Sequence, residues 1–278
     1  MKNSPKTIKP SQLILLLVIV GLAAFLRTQG YGPAAATPTS QPPLPVEALP
    51  TTAPAEMLPE ASVTPEATLK PVPTEQANPA SSLTGKLAEF DYFVLALSWS
   101  PDYCAANGQS DPQQCSLGKK LGFVLHGLWP QDQKGYPSNC SAEKMPQSAK
   151  EQFPGLYPND KLFDHEWEKH GTCTGLTPVE YLQLGKELKA AVAIPAEFRS
   201  PEKAFRSDRA GLKTLFSAAN PGFDPAAFEV SCSGSGRYLK EIYVCFARDG
   251  QPTACSAEMQ KNAQKSCQAA DFIVRNTR

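Results

Sequence analysis

The chain has 278 residues and a balanced charge, with 27 Lys and Arg against 27 Asp and Glu, and the balance persists after residue 83, where 22 of each remain. Proteins that clamp duplex nucleic acid nonspecifically usually carry a basic excess, because neutralising phosphates drives that binding. The composition therefore disfavours such a protein, and any chemistry on nucleic acid must depend on a local site that contacts a few nucleotides.

The first 30 residues have the composition of an export segment. Residues 13–26 form an unbroken apolar run that follows three lysines, which is typical of a signal peptide or a signal anchor. The run is short for a membrane span, so cleavage and retention are both compatible with it. We therefore expect a secreted, periplasmic or cell-surface protein, anchored to a membrane through residues 1–30 if this segment is not cleaved.

The next part of the chain, residues 31–86, is dominated by Pro, Thr, Ala and Glu and predicts a disordered tether. A single folded domain is expected over residues 87–278. All eight cysteines lie in it, and an even number of cysteines in an exported chain predicts disulfides formed in an oxidising compartment. Eight cysteines allow about 105 pairings, so their spacing leaves the connectivity open.

Two apolar segments near the start of this domain predict strands. Residues 90–100, FDYFVLALSWS, are rich in aromatic and β-branched residues, which is typical of a buried strand. Residues 121–130, LGFVLHGLWP, predict a second strand, which places His126 among apolar residues. Residues 131–160 are punctuated by Gly, Pro, Asn and Ser and predict a long loop with short helical turns.

Helices and strands are mixed in the rest of the domain. Residues 165–171, HEWEKHG, predict a helix that the glycine terminates, and residues 177–192 predict another that begins with Thr, Pro and Glu. Residues 201–220 predict a further helix, residues 237–247 a strand and residues 272–276 an edge strand. No regular βαβ rhythm is present. The sequence therefore predicts an α+β fold with a mainly antiparallel central sheet flanked by helices.

The stretch HEWEKHG raises the question of a metal site. Metalloproteases with the pattern H-E-x-x-H place two zinc ligands four residues apart on a helix, whereas His165 and His170 are five residues apart. At roughly 100° per residue the two imidazoles would lie about 140° apart around the helix, too far for a usual pair of ligands. The absence of any CxxC pair also disfavours a zinc ribbon. We expect no metal.

The same geometry predicts a polar face on this helix. With His165 as the origin, Lys169 lies near roughly 40°, Glu166 near 100° and His170 near 140° around the axis. Such a face carries two imidazoles, a carboxylate and an ammonium, which suits proton transfer and anion binding. The alternative interpretation is a solvated charged helix in which Glu166 and His170 form an ordinary pair one turn apart.

A second sequence block, LHGLWP at residues 125–130, favours the interpretation of HEWEKHG as a site over that of a solvated helix. A single histidine in an apolar strand is usually a core residue with satisfied nitrogens, so His126 alone predicts no site. However, LHGLWP followed about forty residues later by HEWEKHG is similar to the two active-site blocks of the ribonuclease T2 family, secreted acid ribonucleases that include the plant S-ribonucleases. The resemblance covers roughly residues 88–275. It implies an endoribonuclease that cleaves single-stranded RNA without a cofactor.

The resemblance implies a role for each polar residue of the two blocks. His170 would be the general base that removes the proton of the ribose 2′-hydroxyl, and His126 the general acid that protonates the leaving 5′-oxygen. Lys169 would stabilise charge on the phosphorane, His165 would bind phosphate, and Glu166 would orient or polarise that group. The first product would be a 2′,3′-cyclic phosphate, which a slower step opens to a 3′-phosphate.

Aromatic and amide side chains near these blocks are candidates for binding the bases. Trp129 could stack on a base or cover the phosphate site, with core packing as the alternative interpretation, and Tyr136 and Phe163 are further candidates for stacking. Many members of the family carry an acidic residue after the LWP proline, where it contacts a base, and this chain has Gln131. An amide can still bond a base edge, but the base preference of relatives does not carry over.

The resemblance also implies the disulfide connectivity and the partners. The four implied pairs are Cys104 with Cys115, Cys140 with Cys173, Cys232 with Cys267, and Cys245 with Cys255. We expect a monomer with RNA as its substrate and no obligate protein partner. Two other classes of function are compatible with the residues: a catalytically silent relative that binds RNA or protein, and a metal-dependent hydrolase that uses the histidines.

Overall fold

The computed structural model describes residues 86–108 and 110–277 of the chain. The predicted export segment and nearly all of the predicted tether therefore lie outside the described residues. Within the described part, no helix is both long and apolar enough to cross a membrane.

Six strands of the described part form one sheet. They are β1 (Tyr92–Trp99), β2 (Phe123–Gln131), β3 (Phe205–Ser207), β4 (Phe228–Ser233), β5 (Tyr238–Ala247) and β6 (Phe272–Val274). Their order in the sheet is β2-β1-β5-β6-β3, and β4 also pairs with β5. Every pairing is antiparallel except that of β5 with β6. The predicted α+β fold with a mainly antiparallel sheet is therefore confirmed.

Seven α-helices flank this sheet in the described part. They are α1 (Ser100–Asn107), α2 (Pro112–Cys115), α3 (Gln147–Lys150), α4 (Lys161–Lys169), α5 (Pro178–Ala191), α6 (Arg209–Ala219) and α7 (Ala257–Ser266). Helix α5 begins as its sequence predicts, because Thr177 and Glu180 each accept a hydrogen bond from the other's backbone N–H. The predicted loop over residues 131–160 is also present and contains only the single-turn helix α3.

Two predicted elements differ from the structure. Residues 201–220 are not one helix, because Phe205–Ser207 pairs with β6 as strand β3 and the Asp208 carboxylate then caps helix α6 by accepting the N–H of Gly211. Strand β6 is not at the sheet edge as predicted, because β3 occupies that edge. Strand β4 and helices α1, α2 and α7 were not predicted.

The main hydrophobic core lies between one face of the sheet and helices α4, α5 and α6. Alternate residues of β1 and β5 point into it, and long apolar residues of the helices pack against them. Its fully buried members include Leu95, Leu97, Ile242, Val244, Leu184, Leu188, Leu212 and Phe216. Burial of each such side chain contributes about 1.5–3 kcal/mol, so this face of the sheet is a rigid support for the residues on the opposite face.

The eight cysteines form the four pairs that the resemblance implies. They are Cys104–Cys115, Cys140–Cys173, Cys232–Cys267 and Cys245–Cys255. A disulfide typically adds about 2–4 kcal/mol, chiefly by restricting the unfolded chain. The bond between Cys140 and Cys173 has a direct bearing on the site, because it ties the long loop to the turn that follows helix α4.

Candidate active site

A cavity of about 470 Å³ brings the two sequence blocks together on the face of the sheet opposite the main core. All three histidines of the chain line it. Eight of the nine predicted catalytic and substrate-binding residues are among its walls, namely His126, Trp129, Gln131, Tyr136, His165, Glu166, Lys169 and His170. The ninth, Phe163, is not.

A β-bulge in β2 directs His126 towards this cavity. The pairing of β1 with β2 shifts between Ala96 and Leu97, so His126 has no partner on β1. Strict alternation would put Leu125 and Leu128 on opposite faces of the sheet, whereas the extra residue lets both lie in the main core. His126 is the inserted residue, and its side chain is left on the face of the cavity.

The imidazole of His126 lies between two carboxyl groups. Its Nδ1 is hydrogen-bonded to Oε1 of Glu241 at 2.5 Å, and its Nε2 is 3.6 Å from Oε1 of Glu166. Burial alone would lower the pKa of His126, but the hydrogen bond to Glu241 and the charges of Glu241 and Glu166 outweigh burial and raise it. The site therefore favours a protonated His126 with its Nε2 directed into the cavity.

Glu166 is a buried carboxyl group with one unused oxygen. Its side chain is 1% exposed; Oε2 accepts the indole N–H of Trp129 at 2.7 Å, and Oε1 forms no hydrogen bond with the described residues. Burial raises the pKa of Glu166 to about 7, against the opposing effects of His126 and Trp129. A buried oxygen left without a donor is unusual in a folded protein and is typical of a functional site.

His170 lies just beyond helix α4, which ends at Lys169. Its backbone has φ −122° and ψ −47°, so the regular helix ends before it, but its N–H still donates to the carbonyl of Glu166 and its side chain lines the cavity with the other residues of the predicted polar face. The ring stacks on Trp129 at 5.2 Å, and its Nδ1 forms no hydrogen bond with the described residues. Burial, followed by the charges of Lys169, His165 and His126, lowers the pKa of His170 to about 3. This imidazole is therefore neutral in the free protein at mildly acidic and neutral pH.

Gly171 does not end helix α4 in the predicted manner. It begins a short 3₁₀ turn, Gly171–Cys173, without adopting a left-handed backbone conformation. A Cβ at this position would lie 2.3 Å from the ring of Trp167, which is buried in the core. The glycine is therefore needed for the close approach of the turn to Trp167, and this approach fixes the backbone immediately after His170.

Lys169 and His165 complete the polar wall of the cavity. The Lys169 ammonium is 6.0 Å from the ring centroid of Tyr136, at the open side of the cavity. His165 is more exposed, with 58% of its side chain accessible, and its Nε2 is 3.9 Å from Oε1 of Glu166. Burial and the neighbouring Lys169 lower the pKa of His165. The arrangement offers N–H donors around a space that a phosphate group could occupy.

Comparison with known proteins assigns this chain to a family. Residues 90–257 match the sequence model of the Ribonuclease T2 family. The chain belongs to the ribonuclease T2 family. A ribonuclease of Aeromonas hydrophila is 40% identical over 200 residues, which cover 70% of this chain and 89% of that protein. Ribonuclease 1 of Arabidopsis thaliana is 30% identical over 194 residues, which cover 61% of this chain and 81% of that one.

A solved structure shows the same fold. A mutant of RNase MC1 in complex with 5′-UMP superposes with a TM-score of 0.54 at 23% identity, over 66% of this chain and 98% of that one. The predicted membership of the T2 family is thus confirmed, and the protein is an endoribonuclease.

Phe163 does not line the cavity of this ribonuclease, so its prediction as a base-stacking residue is wrong. It is 3% exposed and packs edge-on against Tyr157 at 4.9 Å in the main core. The physical reason is helical periodicity, because Phe163 lies about 200° around helix α4 from His165 and shares a face with Trp167, one turn further on.

Trp129, Tyr136 and Gln131 occupy different positions in the T2 ribonuclease site. Trp129 supports other residues of the site, because its indole N–H donates a hydrogen bond to Glu166 and its ring stacks on His170. Tyr136 is 49% exposed at the rim and is free to meet a base. The amide of Gln131 is buried and donates to the carbonyl of Pro130 at 3.2 Å, although the residue lines the cavity.

Sequence reasoning missed a second acidic residue of the site in this ribonuclease, Glu241 on β5. The segment LKEIYVCF alternates as a strand, and Glu241 occupies a buried position in it. A carboxylate in a buried strand requires partners, so its presence in the sequence is a signal that could have been used. Its partner His126 lies 115 residues earlier in the chain, and no local pattern links the two.

The raised pKa of Glu166 predicts a pH-dependent gain of stability in Glu166→Gln. The unfolded chain releases this proton near pH 4.5, whereas the folded protein holds it to about pH 7. Ionisation therefore destabilises the folded state progressively between these values. We expect the melting temperature of Glu166→Gln to exceed that of the wild type by an amount that grows across this range and then levels off, equivalent to about 3 kcal/mol.

Glu180→Gln is the control for this experiment. Hydrogen bonds from Lys86 and Thr177 lower the pKa of Glu180 to about 2. Its carboxylate therefore stabilises the folded state above the unfolded value, and this contribution is lost as the pH falls towards the folded value. Glu180→Gln should accordingly be less stable than the wild type at neutral pH. A stability difference for Glu166→Gln that does not vary with pH would contradict the burial of an ionisable proton at this position.

Proposed function

We propose that this T2 ribonuclease cleaves single-stranded RNA by transphosphorylation followed by hydrolysis. The ribose 2′-oxygen attacks the adjacent phosphorus, the bond to the 5′-oxygen breaks, and a 2′,3′-cyclic phosphate and a free 5′-hydroxyl result. Water then opens the cyclic phosphate to a 3′-phosphate. The observation that carries this proposal is a pair of imidazoles in one cavity, His126 and His170, whose surroundings move their pKa values in opposite directions.

His170 suits the role of general base and His126 that of general acid. His170 is neutral over the mildly acidic and neutral range, so it can accept the proton of the 2′-hydroxyl. The raised pKa of His126 favours its protonated form, so it can donate a proton from Nε2 to the departing 5′-oxygen. After the first step each imidazole has the protonation state that hydrolysis requires, and the second step restores the original states.

Lys169, His165 and Glu166 suit the stabilisation of charge on the phosphorane. Lys169 and His165 present N–H donors at the open side of the cavity. Below about pH 7 the carboxyl of Glu166 is largely protonated, so it does not repel a phosphate and its unused Oε1 can share a proton with a phosphoryl oxygen. Donors arranged in advance around the developing charge are usually the largest contribution to such catalysis.

The cavities on either side of His126 support single-stranded RNA as the substrate. A second cavity of about 360 Å³ shares His126, Lys240 and Glu241 with the first and is lined elsewhere by Tyr103 and Leu162, among others. A flexible strand can place one nucleotide in each cavity with the phosphate between them at His126. A duplex cannot do so, because its neighbouring bases are stacked on each other. The balanced net charge is in keeping with a substrate of a few nucleotides.

We also propose that residues 87–278 act as an exported monomer with RNA as its substrate and no obligate protein partner. Four disulfides support formation in an oxidising compartment. The apolar run at residues 13–26 supports export, with membrane anchoring if it is retained. N-terminal sequencing of the exported protein distinguishes cleavage from anchoring.

Cleavage of a defined single-stranded RNA in excess EDTA tests the proposed reaction. We expect cleavage to continue at the full rate and the fragments to carry 2′,3′-cyclic phosphate before 3′-phosphate. The matched control is the same RNA with one 2′-deoxynucleotide at the cleavage position, which removes the nucleophile and should block cleavage there. Cleavage that stops on chelation would indicate a metal-dependent hydrolase, and binding without cleavage at mildly acidic and neutral pH would indicate a silent relative.

A further inference from the structure

The carboxylate of Glu241 lies behind His126, on the side of the imidazole away from Glu166. We propose that Glu241 is a positioning residue for the general acid: its Oε1 accepts a hydrogen bond from Nδ1–H of His126, which holds the protonated imidazole in the orientation that presents Nε2–H to the leaving oxygen and selects the Nδ1–H tautomer once that proton has left. This inference rests on the proposed role of His126 as general acid. Glu241 itself does not touch the reacting atoms.

The carboxylate of Glu241 is itself held rigidly. Ser98 of the neighbouring strand β1 stands opposite Glu241 in the sheet and donates its hydroxyl to Oε1 at 2.8 Å. The Tyr243 hydroxyl donates to Oε2 at 2.8 Å, and the Lys240 ammonium is 3.4 Å from the same oxygen. These partners fix the orientation of the Glu241 carboxylate. The hydrogen bond between Glu241 and His126 therefore restricts the orientation of the imidazole.

A second β-bulge contributes to this arrangement. The pairing of β4 with β5 shifts between Ser231 and Cys232, so Lys240 is left without a partner on β4. In a regular strand Lys240 and Glu241 would point to opposite faces, yet the Lys240 ammonium reaches the Glu241 carboxylate and lines both cavities. The bulge in β2 thus directs His126 towards the cavity. The bulge in β5 places the Lys240 ammonium beside Glu241, which accepts the hydrogen bond from His126.

The two carboxyl groups that flank His126 differ in pKa because their surroundings differ. The charged groups around His126 are Glu241, Glu166 and Lys240, with His165 on the far side of Glu166. Burial would raise the pKa of Glu241, but its hydrogen bond to His126 and the charges of His126 and Lys240 lower it to about 2. Glu166 releases its proton only near pH 7. Over the mildly acidic range Glu241 is therefore the constant anion beside the imidazole, and Glu166 is not.

NMR titration of the imidazoles tests the proposal without reference to activity. The chain has only three histidines, so each resonance can be assigned by single substitution. In Glu241→Gln the amide oxygen can still accept a hydrogen bond from Nδ1–H, so we expect neutral His126 to keep its Nδ1–H tautomer. The pKa of His126 should fall, because the negative charge beside it is lost. In Glu241→Ala both the tautomer preference and the raised pKa should be lost.

Kinetics with two leaving groups supply the second readout. A dinucleoside phosphate releases a poor leaving group and needs the general acid, whereas a nucleoside 3′-aryl phosphate releases a good one and does not. We expect Glu241→Gln to lower kcat/KM on the dinucleoside phosphate by on the order of 10- to 100-fold and on the aryl ester by only a few-fold. The basic limb of its pH profile should move to lower pH by the same amount as the pKa of His126.

Three further variants make the outcomes distinguishable. Glu229→Gln removes a buried carboxylate on β4 that pairs with Arg209 and Lys213, so it should reduce stability without a leaving-group dependence. If Glu241→Gln fails to fold, Tyr243→Phe loosens the same carboxylate and should give a smaller loss with the same dependence. His126→Ala should show the dependence most strongly.

Each possible result has a definite meaning. If His126→Ala slows both substrates equally, its role as general acid is wrong and the role of Glu241 fails with it. If His126→Ala discriminates between the substrates while Glu241→Gln slows both equally and leaves the pKa of His126 unchanged, Glu241 is only structural and the proposed reaction stands.

Discussion

We expect His126→Ala and His170→Ala each to lower kcat/KM on single-stranded RNA by on the order of 10²- to 10⁴-fold, the usual contribution of a general acid or base. His126 would no longer supply the proton for the 5′-oxygen, and His170 would no longer accept the proton of the 2′-hydroxyl. Steady-state kinetics at the optimum pH of the wild type measure the loss. The double variant should be little slower than either single one, because the two groups act in one step.

The control for these variants lies on helix α4, which ends one residue before His170. Glu168 is on the solvent side of α4, where it pairs with Lys144, so Glu168→Ala should retain wild-type activity. Thermal melting should show that both histidine variants remain folded, since neither imidazole is part of the main core. Turnover close to wild type in either histidine variant would overturn the assignment of acid and base.

Gly127→Ala is the second substitution for which we expect a large effect. A Cβ at this position would lie 1.9 Å from Oε2 of Glu166 and 2.5 Å from the indole nitrogen of Trp129. These two atoms are joined by the hydrogen bond that holds Glu166 in place. The added methyl group must break that bond or displace β2, so we expect about 1–3 kcal/mol of destabilisation from overpacking. A loss of kcat/KM by at least about 10-fold should accompany it.

Gly185→Ala is the matched control for this change. Gly185 lies inside helix α5, and a Cβ there would approach no atom more closely than 4.0 Å. Alanine is the better helix former, so this variant should be up to about 1 kcal/mol more stable than the wild type, with unchanged activity. A fully active and stable Gly127→Ala would show that Glu166 can move without consequence, and the close contact would then have no catalytic role.

Several elements follow from local sequence alone, because their determinants lie within a few residues. The aromatic and β-branched run of β1 predicts a buried strand, and Thr177 with Glu180 predicts the start of α5 through a capping box that spans one turn. The two active-site blocks are likewise short and continuous. Their residue types indicate a site that transfers protons and binds an anion. Their resemblance to T2 ribonucleases predicts the family that the comparisons show.

Other predictions failed because the deciding contacts are distant in sequence. Whether residues 205–207 form a helix or a strand depends on β6, which lies more than sixty residues later and pairs with them. The burial of Phe163 depends on which side of α4 meets the core. The backbone of His170 departs from the helix at the turn where Gly171 packs against Trp167. Propensity and periodicity describe neighbours along the chain and not these contacts.

By itself the sequence determined the types of chemical group in the active site, the two blocks that carry them and the family to which the chain belongs. Only the tertiary structure decided how these groups face each other. The register of β1 against β2 makes His126 the inserted residue of a bulge, and β5 brings Glu241 to its Nδ1 from 115 residues away. Register and strand order are set by packing across the whole domain, so no short segment encodes them.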